Sequence, residues 1–314
     1  MSAVSDYEQR GVKRSRKADS SFQSEPQKRA KAVEYEQRGI AVLPSEVLRL
    51  ILSYACISTQ DEGCMVAVCK RWKALVENIR LDKVRNFAFG KKDWEEHFGT
   101  IGDEPPVPSN TWKLLHGRCP FGLGKRIKDS HLLALIPKTI DGEKFSLNSL
   151  IQFINGDYNK YRCKISERAS NKCITEELGN RGILNSRWIL ITHSLLQGSK
   201  GMGPPQRDAL IKKHTPYHVP PVLDAITAAV CHYLKTGKVF LKEHAYMRCY
   251  ETTYGNWSGP RGPISVGSFN CRFGFHIHSF YYDTVGSGVG LFRNLSDPDC
   301  KYYKGFRATA RRIK

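Results

Sequence analysis

What the chain does without narrows its chemistry first. Its ten cysteines, Cys56, Cys64, Cys69, Cys119, Cys163, Cys173, Cys231, Cys249, Cys271 and Cys300, never fall as a C-x-x-C pair. Zinc knuckles and RING-type sites need such close pairs to set two thiolates on one metal. The reading is therefore no metal, and no motif in the chain asks for a cofactor. Cys69 in MVAVC and Cys231 in AAVC lie inside apolar runs, where a reduced thiol packs as a small hydrophobe. That usage points to a reducing compartment, cytosol or nucleus.

Long apolar runs are missing too. No stretch reaches the ~18 residues a membrane helix needs, and the N-terminus has no apolar core of the Sec type. The expectation is a soluble chain without a membrane partner; if it leaves the cell that made it, its route needs no cleaved hydrophobic signal. Gly198, Gly201 and Gly203 in GSKGMGPP do not form a phosphate loop, because no G-x-x-x-x-G-K-[ST] order is present and Pro204 follows at once. Gly286, Gly288 and Gly290 in VGSGVG precede no helix, so a turn between late strands is expected rather than a dinucleotide site. With no G-x-S-x-G elbow either, no catalytic residue is assigned and the chain is read as a non-enzyme.

What is present suffices for a folded protein. The 314 residues are 40% hydrophobic with five Trp, fourteen Tyr and fourteen Phe, enough for a packed core, and their number suits a small module plus a larger domain. The formal charge of +19 favours an anionic partner through long-range attraction. The basic residues are spread from Arg10 to Lys314 rather than gathered in one stripe, which weakens a dedicated nucleic-acid footprint and favours a merely solvated positive surface.

Residues 1–39 are polar and charged with few large aliphatics, too little apolar surface to offset chain entropy, and are expected to be a disordered basic tail. In it, Lys13, Arg14, Arg16 and Lys17 precede Lys28, Arg29 and Lys31. Two such clusters on an extended chain suit two acidic grooves of a nuclear import receptor; a merely soluble basic tail accounts for them equally.

From residue 43 to residue 85 the apolar spacing is helical. Val47, Leu48, Ile51, Leu52 and Ala55 fall on one face. Pro44, Ser45 and Glu46 supply the start signal, with an acidic group in the first turn. After the polar break at residues 59–63, Cys64, Ala67, Val68, Arg71, Trp72 and Leu75 make a second helical run, and Leu75, Ile79 and Val84 a short third.

Beyond residue 90, WILIT from Trp188 and CRFGFHIHSFYY from Cys271 read as strands. VLDAITAAVCHYL from Val222 reads as a helix entered at Pro220 and Pro221 and left at Gly237. His276 and His278 share one face of their strand; without an evident third ligand they are read as its polar outer face. Strands and helices that do not alternate regularly indicate an α+β domain. The domain expectation is residues 1–39 tail, 40–88 three-helix module and 90–314 mixed α+β.

The strings LPSEVLRLIL and VAVCKRWKAL resemble the F-box, a three-helix module that plugs into the Skp1 subunit of Skp1-cullin ubiquitin ligases. The resemblance implies Skp1 docking by Leu43, Pro44, Val47, Leu48, Ile51, Leu52, Val68, Cys69, Trp72 and Leu75. Three short helices leave apolar surface for a partner, and aliphatic and aromatic anchors of this sort dominate an interface when buried at its centre. The implied partners are Skp1, through it a cullin ligase, and an unknown protein target held by residues 90–314.

KKDWEEHFGTIGDEPPVP from Lys91, HLLALIPKTIDGEKFSLNSL from His131, SRWILITHSLLQGSK from Ser186 and YMRC from Tyr246 resemble the domain that follows F-boxes in proteins of amoeba-infecting chlamydiae. That resemblance implies a bacterial effector working in the cytosol or nucleus of a eukaryotic host. The competing expectation is a nuclear nucleic-acid binder whose recognition helix carries Lys70, Arg71 and Lys73.

If the tail is an import signal, a fluorescent fusion of the chain accumulates in host nuclei. Changing Lys28, Arg29 and Lys31 together to Ala then returns it to the cytosol; an unchanged distribution by microscopy removes the assignment.

Overall fold

The computed structural model describes residues 70–121, 124–156, 164–166, 169–214, 216–241, 245–253, 262–270, 274–279 and 287–296. The chain divides into two compact units, Met1–Val76 and Glu77–Lys314. Within the described residues the architecture is α+β, as the patterning indicates.

Helix α1, Lys70–Phe87, is continuous. The expected second and third helical runs are thus one helix over this stretch, a correction with a simple cause. From Lys70 to Phe87 there is no Gly or Pro to break the chain, and Lys, Arg, Leu, Ala and Glu all favour helix.

In the larger unit, Phe89 leaves α1 and joins a strand. Its N–H donates to the Leu133 carbonyl, and its carbonyl accepts from Leu135 N–H, both at 2.9 Å. Helices α2 (Lys91–His97) and α3 (Thr111–His116) and a 3-10 turn at Ile127–Asp129 lead to β1, His131–Ile136. A hairpin of β2 (Thr139–Ile140) and β3 (Glu143–Lys144) precedes α4, Leu147–Gly156. Then come α5 (Ala169–Leu178), β4 (Arg187–Thr192), α6 (Pro204–Lys212) and α7 (Val222–Thr236). The last elements are β5 (Tyr246–Thr253), β6 (Gly262–Asn270), β7 (Gly274–Ser279), β8 (Ser287–Gly288) and β9 (Phe292–Asn294).

Two sheets result. The first has the order β1-β4-β9, antiparallel throughout, with Leu133 opposite Leu190 and Ile189 opposite Asn294. Every residue of β1 is buried and so is β4 after Arg187, which explains why both read as unbroken apolar runs rather than alternating ones. The second has the order β7-β6-β5-β8, antiparallel except for the parallel β5–β8 pair.

Helix α7 packs against β1 of the first sheet and against β5 and β6 of the second. Its residues from Val222 to His232 are all buried, which requires apolar side chains around the whole circumference rather than on one stripe. The small Ala225, Ala228 and Ala229 let neighbouring elements approach. The helix stops as expected at Gly237, whose φ of 67° is left-handed, and the Gly237 N–H donates to the Tyr233 carbonyl.

VGSGVG departs from the expected turn. Ser287–Gly288 is a short strand beside β5, and a Cβ on Gly290 would lie 2.2 Å from Met247 Cε. Gly288 and Gly290 are there because other chain segments press against them. His276 and His278 also depart from expectation. The rings stack at 5.3 Å, but His276 is buried and only His278 is partly exposed, so this face of β7 is solvated at one end only. Residues 271–273 and 280 lie outside the described residues.

Asp224 is among the charged groups that this packing encloses. Asp224, in the first turn of α7, is wholly buried, and Arg187 Nη2 reaches its two oxygens at 2.7 and 3.0 Å. Burial lifts the Asp224 pKa above the ordinary carboxylate range, against the pull of the Arg187 guanidinium. Removing only the cation leaves an uncompensated interior charge. Arg187→Met is expected to lose about 3–5 kcal/mol of stability in urea denaturation, and Arg187→Met with Asp224→Leu to recover most of it. Equal losses in the single and double variants would contradict this role for the pair.

Candidate functional site

Of the residues expected to dock Skp1, Leu43, Pro44, Val47, Leu48, Ile51, Leu52, Val68 and Cys69 lie outside the described residues, as do the import-signal residues Lys13, Arg14, Arg16, Lys17, Lys28, Arg29 and Lys31. Trp72 and Leu75 fall on the first two turns of α1, three residues apart and so on neighbouring positions of the helix surface. Leu75 is partly exposed. Lys70, Arg71 and Lys73 stand on the same turns.

In the larger unit, sequence reasoning overlooked a set of histidines. His131 opens β1, His193 directly follows β4 and His232 lies in the last turns of α7. The β1–β4 register sets His131 opposite Thr192, one residue from His193, and His193 N–H donates to the Ser130 carbonyl at 3.0 Å. The His193 and His232 rings lie 4.8 Å apart, with Phe240 beside both. The only signal in the chain was a polar residue starting each apolar run or ending it, and that marks many strands without function.

His131 is fully buried. Its Nδ1 lies 2.9 Å from Ser130 Oγ, while that hydroxyl sits 3.0 Å from the Arg126 carbonyl and 3.3 Å from that of Ile127. Both carbonyls also accept from backbone N–H groups, those of Asp129 and Ser130. Among the described residues His131 Nε2 has no hydrogen-bond partner. Burial lowers the His131 pKa to about 4, opposed by the Ile127 carbonyl. His193 is lowered to about 3, by burial first and then by the neighbouring His232, His131 and Lys125. Burial lowers His232 as well, helped by Lys238.

A partly open pocket of about 270 Å³, mouth included, is lined by Cys119, Phe121, Ser130, His131, Thr192 and the start of the following loop. The segment that brings Cys119 there folds back on itself, with Cys119 N–H donating to the Lys125 carbonyl and Ile127 N–H to that of Gly117. Phe121 lies 5.6 Å from the His131 ring and 4.9 Å from Tyr217. The buried Tyr217 hydroxyl also lacks a partner, and burial raises its pKa to about 12, opposed by the nearby Arg293. Among the described residues no group of three His, Cys, Asp or Glu is arranged to hold a metal.

A second titratable group sits at the entry to α7. Glu251 Oε2 accepts from Val222 N–H at 2.9 Å, supplying the first turn with a partner its own helix cannot. Burial lifts the Glu251 pKa to about 7, offset in part by that bond.

Cys231 and Cys249 are free and wholly enclosed, and burial raises both thiols well above their usual range, which makes them poor nucleophiles. Cys119 and Cys173 are also free.

Compared with known proteins, residues 40–84 match the family model described as F-box-like. No curated protein and no solved structure matches the chain. No helix of the described residues is long and apolar enough to cross a membrane.

The shifts set opposite pH slopes. His131 and His193 have folded pKa values below 6.5, so they contribute stability above pH 6.5 that is lost as pH falls toward 4 and 3. Glu251 has a folded pKa above its ordinary 4.5, so its contribution is full below 4.5 and is lost as pH rises through about 7. Glu251→Gln is therefore expected to gain stability relative to the parent as pH rises from 5 to 8. His131→Gln should flatten the acid limb by about 1.4 kcal/mol per pH unit below pH 6. Denaturation midpoints measured from pH 4.5 to 8 check both, and parallel curves for parent and variants would refute the assignments.

Proposed function

We propose that the chain is an adaptor that docks Skp1 through residues 40–84 and holds a target protein with residues 90–314 for ubiquitination by a Skp1-cullin ligase. The observation that carries this reading is the F-box-like match over residues 40–84. It agrees with the spacing of Leu43, Pro44, Leu48, Leu52, Val68 and Trp72 in the chain. Helical apolar anchors in a short module are the chemistry of a helix-in-groove interface. An adaptor of this kind performs no reaction itself; the covalent step belongs to the ligase it recruits.

The setting we propose with it is a bacterial effector acting in a eukaryotic host, in cytosol or nucleus. Its motive is the resemblance read in the segments from Lys91, His131, Ser186 and Tyr246, for which no curated protein gives a match. A second reading, a nuclear nucleic-acid binder, is favoured by the charge of +19. Salt separates the two, since phosphate contacts weaken steeply with ionic strength whereas an apolar interface hardly responds.

Co-precipitation of the full chain with Skp1 tests the adaptor reading. The parent is expected to recover Skp1 equally at low and high salt, and the Leu48→Asp, Trp72→Ala double variant to recover at least about tenfold less, the equivalent of one lost anchor. Equal recovery by both forms, or none by either, overturns the reading.

A further inference from the structure

Positive charge gathers on the folded-back segment before β1. Residues 111–130 hold Lys113, Arg118, Lys125, Arg126 and Lys128 against a single acid, Asp129. Helix α3, which carries Lys113, packs on the 3-10 turn that carries Lys128, so the two ends of this stretch lie together. Among the described residues none of the five cations makes an ion pair.

Arg118 and Arg126 stand directly opposite each other in an isolated antiparallel bridge. The flanking bonds run from Cys119 N–H to the Lys125 carbonyl at 2.9 Å and from Ile127 N–H to that of Gly117 at 3.0 Å. They leave the arginines as the non-hydrogen-bonded pair, the closer of the two kinds, with Cα atoms about 4.5 Å apart. Both arginines are exposed, whereas Cys119 and Ile127, which follow them in the chain, are buried. The two guanidinium groups therefore leave the same outer side of the bridge. Like charges facing each other in this way destabilise a strand pair. An anionic partner turns that repulsion into shared attraction.

The surroundings select the kind of anion. Single-stranded nucleic acid is held by aromatic faces on which its bases stack, and the rings here are already engaged. Phe121 packs on His131, His214 and Tyr217, while Trp112 meets His116 and lies under Lys83. A tightly held duplex is gripped through about 6–10 phosphates, a longer track than one close pair supplies. An extended peptide repeats each face every second residue, a step of about 7 Å. Two long side chains rooted about 5 Å apart span that step, and each carboxylate takes a guanidinium through two parallel hydrogen bonds.

We propose that Arg118 and Arg126 form a docking surface for an extended acidic segment of a target protein, with Asp or Glu at every second residue and with Lys113, Lys125 and Lys128 adding long-range attraction. This names the class of target for the adaptor and rests on that reading.

The test follows the anisotropy of a fluorescent peptide alternating Glu and Ser on the full chain without Skp1, so its outcome is separate from that of Skp1 co-precipitation. Binding is expected at low salt and is expected to weaken as salt is added, with a peptide alternating Gln and Ser left unbound. Arg126→Glu is expected to weaken the acidic peptide at least about tenfold, through one lost attraction and one new repulsion. The same variant is expected to melt no lower than the parent, because opposite charges then face each other across the bridge. Lys138→Glu makes the same change of charge at an exposed residue beyond the other end of β1, and is expected to leave binding within about twofold. Arg118→Gln repeats the measurement if Arg126→Glu does not fold. No binding of the acidic peptide, equal weakening by Lys138→Glu, or tighter binding of duplex DNA lost in the same arginine variant overturns the proposal; the last result would make the surface one for nucleic acid.

Discussion

The larger unit depends on one requirement: a helix enclosed on every side must still satisfy the charge and the open backbone groups at its own N-terminus. Helix α7 lies against both sheets, and its first turn is buried. Asp224 and the free N–H of Val222 are answered instead by Arg187 from β4 and Glu251 from β5. Each sheet thus contributes one side chain to the same helix end. The arrangement fixes where β4 and β5 stand relative to α7, because neither polar group can be left open in an apolar interior without a penalty comparable to several kcal/mol. Apolar packing tolerates small slides; paired interior charges do not. At the other end, Lys235 Nζ donates to the Ala88 carbonyl and pairs with Asp93 at 3.1 Å, so both ends of the helix are tied to neighbouring segments.

The elements legible in the sequence were those whose signals are local. The run at Trp188 is too apolar for a surface strand and too short for a membrane helix, and it became the central strand β4. The helix from Val222 carried its own entry at Pro221 and exit at Gly237. The F-box pattern was legible for the same reason, since helical spacing is written within a few turns. Signals of other kinds were silent. Phe89 is a single residue that pairs with β1, and β8 and β9 are two and three residues long; no periodicity exists in so few positions. Gly288 and Gly290 look like turn glycines until the chain that presses on them is known. The histidine pocket was out of reach because Cys119, His131 and Thr192 meet only through the β1–β4 register and the folded-back segment before β1.

The His-rich region and the Glu251 cap also differ in what they do to the molecule's response to acid. Both owe their shifted pKa values to burial first, yet burial disfavours the charged form in each, and the charged forms appear on opposite sides of neutrality. Acid threatens the fold through the histidines and alkali through the glutamate. The cap and the pocket are held by different strands, so these two sensitivities belong to separate parts of the structure.

The first sheet has a consequence for how the protein is made. Its central strand β4 is flanked on one side by β1, some fifty residues earlier, and on the other by β9, about a hundred residues later, where Ile189 meets Asn294. During synthesis from the N-terminus, β1 and β4 can pair while the ribosome is still adding α7. The third strand does not exist until nearly the whole chain has been translated. Closing so long a loop is entropically slow, and until then one edge of an all-apolar strand stands open, an invitation to pair with another nascent chain. Until β9 arrives, the free edge of β4 is the part of this sheet most open to mispairing.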